Sequence, residues 1–312
     1  MPKVSVIIPN YNHARFLEQR IRSVLDQTYQ DFEIIYLDDA STDDSNQVAS
    51  KFVPSQRIQT VYNKMNSGTP FKQWDRGLNL AQGEYIWIAE SDDYASQYFL
   101  EKLVDILDQH QNVGFVYAQS LGVDENDQVI KDWNEWTDDL DCDRWSRNFI
   151  NAGRDECQRY LIFKNTIPNA SAVLMRRSVL LDTGKLNMEM RLAGDWMLWA
   201  KMLMISDIAF VAEPLNRFRT HTNVVRNTTK PWLQLEERLQ VVHYISQNVE
   251  IPDHFWEIVF DPSVGWWIRM MLRGEVPLSR SQKIYRSLKG IDPNINYRLL
   301  KIFMNAMKRR FS

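Results

Sequence analysis

The sequence predicts an α/β protein: a Rossmann-like, mostly parallel sheet flanked by helices, followed by a helical extension. Three observations carry that expectation. Short β-branched runs alternate with helix-period segments over the first 120 residues. Three of the apolar runs stop abruptly in polar residues, at Asn10-Tyr11-Asn12, at Asp38-Asp39 and at Glu90-Ser91-Asp92-Asp93. Beyond Asn223 the pattern becomes helical and increasingly basic.

Residues 4–9 form a β-branched run ending in proline, as expected of a buried strand. Residues 14–27 follow with Leu17, Ile21, Val24 and Leu25 at helical spacing. Residues 32–37 are the next strand, after which Ser41 is expected to cap a helix with Asp43 and Asp44 in its first turn. Residues 57–62, 85–89 and 113–118 read as further strands, with helices over 71–81 and 97–110 between them. The acidic stretch 124–143, with Lys131 its only basic residue and Trp133 and Trp136 inside it, reads as a loop or lid. Residues 169–175 and 208–211 are expected strands, with a helix over 192–204 between them.

The 44% hydrophobic and 25% charged content excludes wholesale disorder. Cys142 and Cys157 fit neither a disulfide framework nor a zinc spacing, so a reducing compartment is expected. The five histidines show no pair at metal-ligand spacing, which argues against a histidine-built zinc site. The apolar run after Lys3 is too short for a signal peptide, and no stretch approaches the roughly 18 apolar residues of a bilayer span. A cytoplasmic protein with no nucleic-acid partner is the expectation. From Arg269 onward eleven Lys/Arg stand against Glu275 and Asp292, although the whole chain carries −3. Near its end Leu299, Leu300, Phe303, Met307 and Phe311 share one helical face. That face suits either docking on the protein or peripheral contact with an anionic membrane surface.

In parallel sheets ligands bind beyond the carboxyl ends of the strands, so the three polar strand ends are the candidate site. Carboxylates crowded as in Glu90-Ser91-Asp92-Asp93 repel one another unless a cation or donors compensate, which suits a hard divalent ion or a solvated, helix-capping turn. A carboxylate at Asp38-Asp39 suits a ring N–H or ribose hydroxyl, or ordinary turn chemistry. Tyr11 suits base stacking or simple packing. No glycine-rich phosphate loop is present, so a metal, helped by Lys72 or Arg76, must hold any diphosphate. Asp195, opening an apolar helical run with Trp196 and Trp199, reads as an N-cap or as a carboxylate suited to base work.

Taken together, these pieces resemble the family-2 inverting glycosyltransferases. The matching segments are Val4-Ser-Val-Ile-Ile-Pro-Asn-Tyr-Asn12, Ser23-Val-Leu-Asp-Gln-Thr-Tyr29 and Asp31-Phe-Glu-Ile-Ile-Tyr-Leu-Asp-Asp-Ala-Ser41. Ala81-Gln-Gly-Glu-Tyr-Ile86, Glu90-Ser-Asp-Asp93, Gly194-Asp-Trp196 and Arg217-Phe-Arg-Thr-His221 follow in order. The resemblance covers roughly the first 225 residues. It implies the glycosyltransferase A fold, with a nucleotide-binding half over 1–120, an acceptor-binding half over 121–223, and a separate helical region over 224–312. It further implies Pro9 and Tyr11 beside the base, Asp39 on uracil, and Asp92 and Asp93 for ribose and metal, Mg²⁺ or Mn²⁺. Asp195 takes the role of general base. Glu90 stands where an aspartate is usual, and Gln73-Trp74-Asp75 replaces the usual Ala-Arg-Asn, moving the cationic contact to Lys72 or Arg76. Asp38 and His221 complete the candidates, His221 near the diphosphate.

The implied activity is transfer of a sugar from a UDP- or dTDP-sugar to a hydroxyl of a saccharide or lipid-linked saccharide, in surface or secreted polysaccharide synthesis. A nucleotidyltransferase and a binding module without turnover are the alternatives. The first typically opens with a glycine-rich basic loop where this chain has Pro9-Asn-Tyr-Asn12.

Overall fold

The computed structural model describes residues 1–53, 57–184, 188–221 and 229–300. The chain divides into two units, Met1–Glu156 with Asn165–Asn227, and Cys157–Lys164 with Thr228–Ser312.

The first unit opens with β1 (Val4–Asn10), α1 (Ala14–Leu25), β2 (Phe32–Asp38), α2 (Ser45–Ser50), β3 (Ile58–Tyr62), α3 (Pro70–Leu80) and β4 (Tyr85–Ile88). The two-residue β5 (Tyr94–Ala95), α4 (Phe99–Gln109) and β6 (Val113–Val123) come next. Then follow β7 (Val129–Asp132), β8 (Phe149–Asn151), α5 (Gly153–Glu156), β9 (Val173–Arg176), α6 (Arg177–Asp182), α7 (Gly194–Leu203) and β10 (Asp207–Arg219). Among the described residues these strands form one sheet in the order β3-β2-β1-β4-β9-β6-β10-β5, with β7 on β6 and β8 on β10.

The sheet's directions decide where the chemistry gathers. β1 runs parallel to β2 and β4, β2 to β3, and β6 to β10, while β9 is antiparallel to both β4 and β6. The carboxyl ends of β1, β2, β4, β6 and β10 therefore share one edge, and the reversal of β9 brings the residues before it to the same edge. β1 and β4 are buried along their whole length, as two-sided cover by helices requires. α1 contributes Leu17, Ile21 and Val24 to a core shared with Trp87, Phe99 and Leu103.

Three local expectations change. Ser41 does not cap a helix: α2 starts four residues later, and the Ser41 hydroxyl accepts from Asn10 Nδ2 and Asn12 N at 3.1 and 3.0 Å, tying the end of β2 to the end of β1. The stretch 124–143 is more regular than a loop, because β7 pairs with β6 and a 3₁₀ turn spans Trp133–Trp136. Its indoles supply the order: Trp133 packs on Phe218 of β10 at 5.2 Å, and Lys131 lies 4.4 Å over the Trp133 ring. Asp195 is not an N-cap, since Ala193 holds that place and Asp195 is the second residue of α7.

The second unit is helical, with α8 (Pro231–Ser246), α9 (Asp261–Leu272) and α10 (Leu278–Ile291). It buries Leu235, Leu239, Val242, Ile245, Phe260, Ile284 and Leu288. Arg298 bonds Asp292 and Asp261 at 2.8 and 2.9 Å. Phe303, Met307 and Phe311, three of the five apolar residues of the expected terminal face, lie outside the described residues. No described helix is long and apolar enough to cross a membrane.

Gly83, in the turn between α3 and β4, permits a close backbone approach to β1: a Cβ there would stand 2.5 Å from Ser5 N and 2.8 Å from Val4 C. Both contacts are backbone of a central strand and cannot swing aside. Gly83→Ala should therefore destabilise the fold by roughly 1–3 kcal/mol, the usual cost of overpacking, read as a lowered Tm in thermal unfolding. An unchanged Tm would mean that β1 is free to shift.

Candidate active site

A cavity of about 800 Å³ opens at the shared carboxyl edge. Pro9, Tyr11 and His13 come from the end of β1 and the turn after it, Asp39 from the end of β2, and Thr69 and Gln73 from the start of α3. Glu90, Asp92 and Asp93 follow β4, while Phe218 and His221 come from the end of β10. Pro9, Tyr11, Asp39, Glu90, Asp92, Asp93 and His221 are thus brought together as the sequence suggested. Asp38, Lys72, Arg76 and Asp195 are not among the cavity-lining residues.

The three carboxylates after β4 have three different environments. Asp93 is buried, its Oδ2 accepting Asn169 Nδ2 at 2.7 Å and its Oδ1 accepting Arg219 N at 2.8 Å. Burial and the charge of Asp92 push its pKa up to about 7. It serves chiefly to knit β4, β9 and β10 together, and both oxygens are occupied, which weakens its candidacy as a metal ligand. Glu90 accepts from Trp74 Nε1 at 2.8 Å, and burial plus the charge of Asp92 raise it to about 8. Asp92 goes the other way. Burial works against its charge, but the hydrogen bond from His221 and the nearby His13 and His221 hold it below the usual carboxylate range.

Asp92 Oδ2 lies 3.0 Å from His221 Nε2, and that bond raises the histidine. His13, whose Nδ1 is 2.8 Å from Ser91 Oγ, completes a trio with Asp92 and His221 whose potential ligand atoms all lie within 4.8 Å of one another. Spacing along the chain does not announce this trio: the two imidazoles come from opposite ends of the unit and meet at 5.5 Å between ring centroids. One signal was available. Each histidine stands two or three residues past the carboxyl end of a strand, the same rule that selected the acids.

At the nucleotide edge the acids are structural partners. Asp38 is buried under Asn10 Nδ2 at 3.1 Å and Ser41 N at 2.9 Å, and holds the turn after β2. Asp39 lines the cavity, yet its Oδ1 accepts from Asn63, Ser67 N and Gln73 at 2.6, 2.9 and 2.8 Å, and its Oδ2 from the Ser67 amide and hydroxyl at 3.0 and 2.8 Å. Its carboxylate organises the segment beside the cavity rather than offering a vacant acceptor. Lys72 and Arg76 are exposed, and Lys72 Nζ donates to Ser67 O at 2.8 Å. The residue of this helix that turns inward is Gln73. Among the cavity's cations is instead Arg15, paired with Glu125 at 2.7 Å.

Asp195 is linked to the cavity through its neighbours in the chain. Gly194, the residue before it, meets the ring of Phe71, where a Cβ would come within 2.5 Å. Phe71 directly follows Thr69 and Pro70, which line the cavity. The Asp195 carboxylate accepts Trp196 N at 2.7 Å and Asn165 Nδ2 at 3.2 Å.

Residues 5–184, more than half of the chain, match Glycosyl transferase family 2. The chain belongs to this family. It is 33% identical over 124 residues to Glycosyltransferase GlyG of Streptococcus pneumoniae, covering 40% of this chain and 41% of that one. An uncharacterized glycosyltransferase of Haemophilus influenzae is 27% identical over 226 residues, covering 71% and 67% respectively. The matched stretch thus spans well under half of GlyG and about two thirds of the Haemophilus protein. The crystal structure of S. aureus TarS 1-349 in complex with UDP-GlcNAc superposes with a TM-score of 0.69 at 17% identity, over 95% of this chain and 83% of that one. That likeness establishes the glycosyltransferase A type of α/β fold.

The raised Glu90 has a stability consequence. Between its ordinary value of 4.5 and about 8, the folded chain keeps a proton that the unfolded chain has released. Stability therefore falls as pH rises through that window. Glu90→Gln keeps an acceptor for Trp74 and carries no charge, so its stability should fall less. Urea unfolding at pH 5 and pH 8 in chelator-treated buffer measures the two drops; equal drops would remove Glu90 as their source.

Proposed function

We propose that this chain is a metal-dependent, inverting glycosyltransferase that moves a sugar from a UDP- or dTDP-sugar to a hydroxyl of a saccharide or lipid-linked saccharide acceptor. The observation that carries this reading is the convergence of Asp92, His13 and His221 in a strand-end cavity of a family-2 fold. The TarS structure bound to UDP-GlcNAc supports a uridine diphosphate donor, and similarity to a poly(ribitol-phosphate) beta-N-acetylglucosaminyltransferase and a putative teichuronic acid biosynthesis glycosyltransferase supports polysaccharide synthesis as the context.

The donor set fits a divalent ion. One ionised carboxylate and two imidazoles make an O/N site, and imidazole nitrogen moves the preference from Mg²⁺ towards Mn²⁺. Asp92, His13 and His221 would hold the ion, with the substrate's phosphate oxygens completing its shell. Bound there, it would neutralise charge growing on the departing diphosphate.

The chain's own residues supply the rest. Asp195 takes the proton of the acceptor hydroxyl as that oxygen attacks the anomeric carbon in line. The bond from that carbon to the diphosphate oxygen breaks, the nucleoside diphosphate leaves, and the configuration inverts. Phe16 and Phe218 present apolar walls that restrict water near the reacting carbon. Tyr11, 45% exposed at the cavity lip, offers a face for the base.

Two measurements test this reading. Calorimetry of UDP binding with Mn²⁺ and with chelator should reveal a metal-dependent gain that Asp92→Ala loses, whereas metal-free binding changes little. Equal losses under both conditions would remove the ion from the site. Asp195→Asn should lower turnover by roughly 10²- to 10⁴-fold, the worth of a positioned base, while UDP affinity holds. A variant that transfers sugar at near wild-type rate would falsify the base assignment.

A further inference from the structure

A general base is useful only if one of its oxygens points at the incoming hydroxyl, and a carboxylate in the first turn of a helix has several rotamers to choose from. Two hydrogen bonds narrow the choice for Asp195. Oδ1 accepts the Trp196 amide of its own turn at 2.7 Å. Oδ2 accepts Asn165 Nδ2 at 3.2 Å, a contact from outside the helix.

Asn165 is itself held in two ways. Its Oδ1 accepts Ile167 N at 3.3 Å, which decides the orientation of the amide and leaves the NH₂ end for Asp195. Its backbone oxygen accepts Trp136 Nε1 at 2.7 Å. Trp136 in turn stands edge-on to Trp133 at 5.7 Å, and Trp133 packs on Phe218, a wall of the cavity. A continuous set of contacts thus runs from the cavity wall through two indoles and one amide to the carboxylate.

We infer that Asn165 is the positioning residue for Asp195, with Trp136 as its anchor. The inference rests on the base role proposed for Asp195. Asn165 is not among the cavity-lining residues, so it acts on the reaction through Asp195 and not by holding the donor. The two roles separate in kinetics: a group that orients the base changes kcat, whereas a group that binds the donor changes KM.

The experiment is a double-mutant cycle on the full chain, with kcat, donor KM, UDP affinity and Tm measured for each variant. Asn165→Ala should lower kcat about tenfold or more, in keeping with the sensitivity of catalysis to small misplacements, and leave donor KM and UDP affinity unchanged. The isosteric Asn165→Asp keeps the volume but sets an acceptor against Asp195 Oδ2, and should lose at least as much kcat. In an Asp195→Asn background, Asn165→Ala should change kcat by less than about twofold, because residues that act as a unit are not additive. Equal losses in both backgrounds, or a loss that follows Tm alone, would overturn the inference. Should Asp195→Asn be lethal to turnover while Asn165→Ala and Asn165→Asp keep wild-type kcat, the base survives and only the positioning role falls. Wild-type turnover in Asp195→Asn removes both.

Discussion

Three acidic side chains within four residues at the end of a buried strand can be retained only where positive charge is buried with them. Arg20 and Arg219 supply it, and both are almost wholly enclosed, at 0% and 2% exposure. Arg20 Nε donates to Glu90 O at 2.8 Å, while its two terminal nitrogens have no hydrogen-bond partner among the described residues. Burial lowers its pKa to about 10, and the charges of Asp93, Asp92 and Glu90 work to keep it protonated. Buried opposite charges contribute little net stability, but removing one of them leaves the other uncompensated and is strongly destabilising. Much of the neighbouring structure is arranged around that constraint. α1 lies where Arg20 can reach the turn after β4, and β10 extends until Arg219 bonds Asp92 O and Asp124 O at 2.8 and 2.7 Å. Placing Arg219 there brings His221 to Asp92.

The same crowding divides the labour among the carboxylates. With charges this close, not all three ionise easily at neutral pH, and the local donors decide which does. Asn169 and a backbone amide occupy Asp93, and a tryptophan N–H faces Glu90, while two imidazoles face Asp92. The outcome is one carboxylate held ionised beside two that hold protons more strongly. Neighbouring titratable groups driven apart in this way mark a site whose members have separate tasks.

How much of this was legible in the sequence varied with the range of the interaction. β1, β2, β4 and their polar ends were readable, because strand periodicity and the strand-end rule are local signals. Asn169 was not read as part of the site, since its place depends on β9 running against its neighbours, a matter of topology. His13 and His221 escaped the metal argument for a similar reason: ligand spacing in sequence says nothing when two separate strand ends converge. Lys72 and Arg76 were favoured by charge, yet the helix turns Gln73 inward, so phase along α3 outweighed residue type. Asp39 was correctly brought to the cavity, but the five donor contacts around it follow from residues 63–73 folding back on it, which no local pattern announces.

The stretch 124–143 shows how such non-local order bears on chemistry. Acidity and two tryptophans suggested a loop or lid; the structure gives the segment two anchors. Near its start the Asp124 oxygen accepts from Arg219, and Asp127 pairs with the same guanidinium at 2.7 Å. Further along, the Trp136 indole holds Asn165 and, through it, Asp195. One run of chain is therefore linked, through Arg219 and through Asn165, to both the acidic turn and the proposed base, which are about a hundred residues apart in sequence. Their separation in space is the quantity an in-line displacement depends on, because an error of about 1 Å between attacking and leaving groups can cost about 10²-fold in rate. A lid must move to work, and moving this segment would disturb that separation. Its pairing with β6 and the packing of Trp133 on Phe218 are what a fixed spacer requires.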